Sequence, residues 1–203
     1  MYTIYRYSLK RTLGYLWKPV ISVSFYAGLI FFIYTYYEIE SMAIPLAVPT
    51  VLGTAISLIL GFRTNSAYHR WWEARKIWGA IINDSRTLVR QCITFAGKEN
   101  PGVISIAKKQ MAFCYALANS LRNLDDTSAV TKYLNEEEIR YAITQDNVPN
   151  AILQMLEKEM QNLYNQNEVN DVQLLAVDHT FRHICNSMGM CERIKNTVFP
   201  LQV

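Results

Sequence analysis

The sequence lacks the motifs with which many enzymes bind nucleotides or form covalent intermediates. It contains no P-loop, no glycine-rich dinucleotide turn, no nucleophile elbow and no paired CxxC zinc motif. No nucleophile, base and orienting group occur together in a recognisable pattern, so we expect neither an enzyme nor a cofactor. The net charge of +3 is small and unclustered, so nucleic acid is not an expected partner.

Cysteine is also scarce, and the few metal-ligating side chains form one loose group. The four cysteines show no close-spaced pairing framework, which predicts reduced thiols. His179 and His183 could share a helix face as metal ligands do, but Cys185 lies about 200° further round the helix. Solvated or core-satisfied histidines are therefore favoured, and we expect no metal, with a bound metal as the alternative. The group is His179, His183, Cys185 and Cys191, and the other cysteines are Cys92 and Cys114.

Two stretches lack charge altogether. Pro19 to Tyr37 spans 19 residues and Ser41 to Phe62 spans 22 residues without Asp, Glu, Lys or Arg. At 1.5 Å per residue, the shorter stretch covers about 28 Å as a helix, which matches the thickness of a bilayer core. A buried helix pair in a soluble core is the alternative. A secretory signal fits poorly, because the first run is long and no small-residue cleavage site follows it.

Acidic residues are absent from the first 18 positions, where Arg6, Lys10, Arg11 and Lys18 lie. Basic residues also follow the second span, whereas the intervening "EIESMAIP" is acidic. The positive-inside bias therefore predicts a helical hairpin with both ends in the cytoplasm. Tyr34, Tyr36 and Tyr37 would form an aromatic belt at its outer edge.

The second span carries two patterns of its own. Small residues recur at helical spacing, which allows close helix approach in lipid. A neighbouring row, Thr54, Leu58 and Phe62, repeats every four residues, and ordinary packing is the plain interpretation of that row. Pro45 and Pro49 suit a helix start or kink. The small residues are Thr50, Gly53, Thr54, Ser57 and Gly61.

Beyond Phe62 the pattern predicts helices throughout and no strands. One long helix, or two nearly continuous ones, should run to "GKENPG" at 97–102. Further helices are predicted at 103–124, after an N-cap at Asn135, at 150–164 and at 169–197. We therefore predict an all-α integral membrane protein with a basic cytoplasmic segment at 1–18, a transmembrane hairpin at 19–62 and a cytoplasmic helical region at 63–203.

The join between these regions carries a specific signature. The run at 44–91 contains "GFRTN-A--RWWEARK-WG", in which an apolar span is followed directly by a segment rich in arginine and tryptophan. This run resembles the bestrophin family, specifically its bacterial branch, and the likeness continues more weakly to "CERIKNTVFP". Local ion pairs could form between Glu73 and Arg70 or Lys76, and between Asp178 and Arg182.

The resemblance implies a homo-oligomer, a pentamer in the family, that conducts monovalent ions across a cell membrane. Family members are chloride or anion channels in animals, and at least some bacterial members favour cations. The family's hydrophobic neck falls on Thr54, Leu58 and Phe62, and a cytoplasmic constriction falls on Val172. Thr54 departs from the family by being polar. The junction residues, expected at the pore exit or between helices or subunits, are Arg63, Asn65, Arg70, Trp71, Trp72, Glu73 and Arg75.

The resemblance also implies that this chain stops before the third and fourth spans of family members, and before the calcium-binding segment of the animal proteins. The expected function is a subunit of a bestrophin-like anion channel with hydrophobic-neck gating. The alternatives are a cation-selective bacterial homologue and a truncated, non-conducting membrane anchor for helical interactions.

Overall fold

The computed structural model describes residues 9–37, 45–124 and 128–197, and these residues are helical apart from short connections, with no strand among them. The predicted acidic loop, Arg6 and the segment after Thr197 therefore lie outside the described residues, apart from Pro45. The helices are α1 (Leu9–Tyr37), α2 (Ala47–Ala96), α3 (Pro101–Arg122), α4 (Ser128–Thr131), α5 (Glu136–Ile143), α6 (Val148–Asn165) and α7 (Asp171–Asn196).

The chain divides into two compact units, Met1–Phe62 and Arg63–Val203. In the first unit, α1 begins at Leu9, well before the predicted span start at Pro19. The predicted span began where the charge-free run begins, but a charge-free run shows which part of a helix can lie in lipid and not where the helix starts. The Leu, Lys and Arg residues before Pro19 have high helix propensity, so the helix extends through them. Pro19 thus lies inside α1, where its missing N–H leaves one backbone carbonyl without its usual donor.

The apolar side chains of the first unit are exposed. Both α1 and α2 contain stretches long and apolar enough to cross a membrane, and none of the residues in the most apolar window of either is buried. Ile33 is half-buried, and the other described side chains of this unit are exposed. The alternative of a buried helix pair in a soluble core is therefore wrong for the described residues.

Helix α2 is one continuous helix of 50 residues, which decides between the two expectations for this segment. Pro45 precedes it, and Pro49 lies in its first turn, where a backbone N–H has no intrahelical partner. The helix ends at Ala96. The next residue, Gly97, has a φ of +86°, a left-handed conformation that glycine adopts without a Cβ clash.

The second unit has one hydrophobic core. Helix α3 packs against α6, and α7 packs against both. The C-terminal half of α2 contributes Ile81, Leu88 and Cys92 to the same core, where each is fully buried. Apolar burial on this scale is the main stabilising term for a helical unit of this size.

Asparagines begin four of these helices. The predicted cap at Asn135 is confirmed: its side chain accepts from the Glu138 N–H at 2.8 Å, and the Glu138 carboxylate accepts from the Asn135 N–H at 2.9 Å. Asn100, Asn147 and Asn170 cap α3, α6 and α7. Helices α3 and α6 begin two residues earlier than predicted, because Pro101 and Pro149 occupy first-turn positions that accept proline.

Candidate functional site

The predicted neck residues Leu58 and Phe62 lie on α2 and are 60% and 64% exposed. A spacing of four residues places successive side chains within about 40° of one another on a helix. Two large apolar side chains thus project from one side of a helix with no part of the described chain covering them. That surface requires lipid or another chain as its neighbour.

Thr54, the polar member of this row, donates its hydroxyl hydrogen bond to the backbone of its own helix. Its Oγ1 donates to the backbone carbonyl of Thr50 at 2.9 Å, and Thr50 Oγ1 donates to that of Leu46 at 2.8 Å. A back-bonded threonine has no unsatisfied donor to bring into an apolar environment. A threonine at this position, where the family has an apolar residue, therefore adds no unsatisfied donor to the row.

The junction residues separate into two groups. Arg63, Asn65, Glu73 and Arg75 are exposed. Arg70 is half-buried, and its guanidinium donates to the backbone carbonyl oxygen of Ile194 near the end of α7. Arg70 therefore contributes to the interior of its unit by joining α2 to α7, a contact that sequence spacing could not reveal.

Trp71 and Trp72 belong to an exposed aromatic cluster. Tyr68 stacks on Trp72 with ring centroids 6.5 Å apart and also contacts Trp71 at 5.8 Å. The guanidinium carbon of Arg75 lies 5.8 Å from the Trp71 ring centre. The two tryptophans remain 54% and 44% exposed, so the described chain does not enclose them. Both side chains are left open to a further helix or a neighbouring subunit.

Val172 occupies the first turn of α7 and is 77% exposed. Along the same helix, the ring centroids of His179 and His183 are 4.6 Å apart, and both side chains are exposed. The predicted pair of Asp178 and Arg182 forms, with carboxylate oxygen and guanidinium nitrogen 2.5 Å apart. Cys185 is exposed and Cys191 is buried. Among the residues that the structure describes, no three His, Cys, Asp or Glu side chains converge as a metal cluster.

Sequence reasoning missed a buried lysine. The Lys109 side chain is 5% exposed, and its Nζ lies 2.7 Å from Glu138 of α5, 2.7 Å from Glu159 of α6 and 2.6 Å from the Ser105 hydroxyl. These three contacts use all three ammonium donors. The sequence did contain a sign of this buried lysine, because it lies between apolar positions of α3 that are buried. Its carboxylate partners lie on other helices, so the sequence did not identify them.

Charge pairing decides the pKa values in this cluster. Burial alone lowers the pKa of Lys109, but hydrogen bonds to and attraction by Glu138 and Glu159 raise it above its ordinary value. Burial opposes ionisation of Glu159 as well, yet the hydrogen bond from Lys109 and its charge hold the pKa of Glu159 below its ordinary value. Lys109 and Glu159 are therefore both charged at neutral pH, and the contacts of Lys109 join three helices.

Two polar links between helices were also missed. Thr180 Oγ1 donates to Gln91 Oε1 at 2.9 Å, which ties α7 to α2. Gln110 Nε2 donates to Ser85 Oγ at 2.8 Å, which ties α3 to α2. The four cysteines are free thiols, as expected, and burial raises the pKa of Cys92 to about 11.

These features define a class: an all-helical membrane protein with two exposed apolar helical stretches and a separately packed helical unit. Its family follows from the sequence as a whole. The chain belongs to the bacterial/fungal bestrophin family, whose family model matches residues 4–202.

Curated relatives and solved structures agree with this assignment. The voltage-dependent anion channel-forming protein YneE of Escherichia coli is 28% identical over 171 residues, which are 84% of this chain and 56% of that protein. A voltage-dependent anion channel-forming protein of Nostoc is 29% identical over 198 residues, which are 93% of this chain and 62% of that protein. The crystal structure of a bacterial bestrophin homologue from Klebsiella pneumoniae matches with a TM-score of 0.78 at 29% identity, over 84% of this chain and 64% of that one.

This chain therefore spans less than two thirds of the length of each of these relatives. The two curated relatives are named for forming channels, a class distinct from enzymes. The channel-forming activity in these names is that of the relatives.

Proposed function

We propose that this chain is a subunit of a bestrophin-type ion channel, built from five copies around one axis and conducting monovalent anions. The observation that carries the proposal is the exposed row of Leu58 and Phe62 on a helix of membrane-spanning length. The relatives' description as anion channel-forming proteins supports the choice of ion.

In this proposal five copies of the row Thr54, Leu58 and Phe62 face the axis and form a dry ring. Such a ring gates by dewetting, because ions cross only when it is wide enough to hold water. The back-bonded hydroxyl of Thr54 is compatible with such a ring. Val172, exposed in the first turn of α7, forms a second constriction on the cytoplasmic side.

The exposed aromatic cluster has a place in the same assembly. Trp71 and Trp72 pack against a neighbouring subunit, since their own chain leaves them open. Exposed Glu73 and Arg75 lie beside them and could bridge subunits, while Arg63 and Asn65 mark the pore exit. Arg70 supports this surface from within, through its hydrogen bond to Ile194.

The proposed location is the bacterial inner membrane, with 19–62 as a transmembrane hairpin and both of its ends cytoplasmic. The excess of Lys and Arg before the first span and after the second supports this orientation. Residues 1–18 and 63–203 then lie in the cytoplasm. Reporter fusions after residue 40 and after residue 197 would place these two points on opposite faces of the membrane if the proposal is right.

The competing functions are a cation-selective channel and a membrane-anchored helical interaction module without a pore. The exposed tryptophan cluster would serve an interaction module equally well. Oligomer mass in detergent separates the module from the channel, because a stable monomer contradicts a pore formed by several subunits. The reversal potential in a salt gradient separates anion from cation conduction.

Flux through liposomes tests the neck. We expect Leu58→Ala and Phe62→Ala each to increase ion flux, since a smaller apolar side chain widens the ring and lets it hold water. Leu60→Ala is the matched control, because Leu60 is equally apolar and exposed but lies about 160° from Leu58 on the helix. Unchanged flux in both neck variants contradicts the assignment of the neck.

A further inference from the structure

Two imidazoles lie side by side on α7, apart from the predicted neck and junction residues. The ring centroids of His179 and His183 are 4.6 Å apart with an interplanar angle of 56°, and both rings are exposed. One helical turn separates them, so their side chains project from the same face. The remaining histidine of the chain, His69, has a glutamate rather than a second imidazole one turn further along.

This spacing suits a divalent transition ion. Zinc lies about 2.0–2.1 Å from each imidazole nitrogen, so a shared tetrahedral ion holds two nitrogens roughly 3.3 Å apart. Ring centroids at 4.6 Å allow that separation with small side-chain rotations. Paired histidines one turn apart on a helix are a known way of holding such an ion, with water or carboxylates as the further ligands.

The surrounding charges permit a cation. Arg182 lies next to the pair, but its guanidinium is bound to the Asp178 carboxylate at 2.5 Å, which offsets its charge. Both imidazoles are exposed, so an ion can reach them from solvent without displacing packed side chains.

The pair also shares a face with Val172. At 100° per residue, His179 and His183 lie about 20° to either side of Val172 around the axis of α7, roughly 10 and 16 Å further along it. The exposed face of α7 thus carries, in order, an apolar residue and then two imidazoles.

We propose that His179 and His183 form a binding site for a divalent transition metal ion of the Zn²⁺, Ni²⁺ and Cu²⁺ class, on the face of α7 that carries Val172. The binding site stands on the geometry of the two rings. Its consequence rests on the proposed channel function: if Val172 lines the permeation path, an ion bound at the pair narrows that path and reduces the current.

Metal binding to the purified chain in detergent tests the site directly. The probe is Ni²⁺ or Zn²⁺ in isothermal titration, with a purification tag that contains no histidine. We expect His179→Gln and His183→Gln each to weaken binding by at least about tenfold. His69→Gln and Cys185→Ser should leave binding within about twofold of the parent. Binding that is absent from the parent chain, or equal in parent and His179→Gln, His183→Gln double variant, overturns the site.

Current measurements test the consequence separately. In a conducting preparation, Zn²⁺ added from the cytoplasmic side should reduce the current of the parent protein and spare that of the His179→Gln, His183→Gln double variant. If calorimetry shows bound metal but the current of the parent protein is unaffected, the histidine pair does not lie in the permeation path. Metal binding without conduction in any preparation contradicts the channel function and leaves the metal site supported.

Discussion

The guanidinium of Arg70 in α2 donates a hydrogen bond to the backbone carbonyl oxygen of Ile194, in the last turn of α7. Carbonyls at a helix C-terminus have no intrahelical donor and carry partial negative charge, so a cation is well suited to satisfy them. Nearby, Lys195 Nζ donates to the carbonyl of Ser120 at 2.5 Å. The signature arginine thus connects segments 124 positions apart in sequence.

Arg70→Ala should destabilise the second unit by about 1–2 kcal/mol, because a hydrogen bond from a charged donor is lost at a half-buried position. Thermal unfolding in detergent measures the change. Hydrogen exchange should accelerate at the end of α7 in particular, since that is where the carbonyl loses its donor.

Arg75→Ala is the matched control, because Arg75 lies on the same helix, is exposed and contacts the Trp71 ring. Its stability effect should stay below about 1 kcal/mol. Equal stability losses in the two variants would show that Arg70 has no special part in holding α7.

Lys109→Met should cost about 2–3 kcal/mol. The substitution keeps an apolar stem but leaves Glu138 and Glu159 facing each other without their shared cation. The estimate lies below the range for breaking a fully buried pair, because the two carboxylates are 22% and 26% exposed. Chemical denaturation followed by circular dichroism measures the loss, with Lys108→Met as the control at the adjacent position.

Acid should weaken the same cluster. The pKa of Glu159 is lowered below its ordinary 4.5 in the folded chain, so the unfolded chain takes up this proton first as pH falls. The stabilisation is therefore complete above about pH 4.5 and is lost as pH falls through the lower folded pKa. The alkaline side of the stability curve depends on Lys109. Its pKa is raised above 10.5 in the folded chain, so its contribution to stability is lost only in strong base.

Glu159→Gln tests this dependence, since the amide keeps the shape and cannot ionise. The drop in melting temperature between pH 7 and pH 4 should be smaller in this variant than in the parent. Glu157→Gln serves as the comparison, because burial and then repulsion by Asp178 raise rather than lower the pKa of Glu157. An unchanged pH dependence in Glu159→Gln would contradict the assignment.

The link between α2 and α7 should appear as coupling between Gln91 and Thr180. Thr180 is 6% exposed, so Gln91→Leu removes the nearer acceptor of a buried hydroxyl. Thr180→Val removes the donor to the half-buried Gln91. A double-mutant cycle of Gln91→Leu and Thr180→Val should give a coupling energy of about 1 kcal/mol. A coupling energy near zero would mean that the two side chains act independently.

Thr54→Val should leave ion flux within about twofold of the parent if the proposed channel function is right. Valine keeps the shape of threonine and removes only a hydroxyl whose proton is already bound to the Thr50 carbonyl. Thr54→Ser retains the hydroxyl but removes the methyl group, and it should raise flux by widening the ring. The opposite ranking, with a large effect of valine and none of serine, would show that the hydroxyl faces the path.

The sequence alone determined the class of each segment, because the relevant signals are local. Runs of nineteen and twenty-two residues without charge predict two helices long enough to cross a membrane. The asparagine before Glu136, Glu137 and Glu138 predicts a helix start through the bonds it makes within one turn. The signature around Trp71 and Trp72 also sufficed for the family, since it couples a span and a basic exit in a fixed order.

Only the tertiary structure decided which polar residues hold the second unit together. Arg70 was expected at the pore exit or between helices or subunits, without a specific partner on another helix, and sequence reasoning did not single out Lys109. Their contacts, to Ile194 and to Glu138 and Glu159, join helices far apart in sequence. Such pairs depend on how helices pack, and a helical pattern specifies which face is apolar but not which helix will meet it. The spacing of His179 and His183 predicted a shared face, and the packing of α7 decided that this face is exposed.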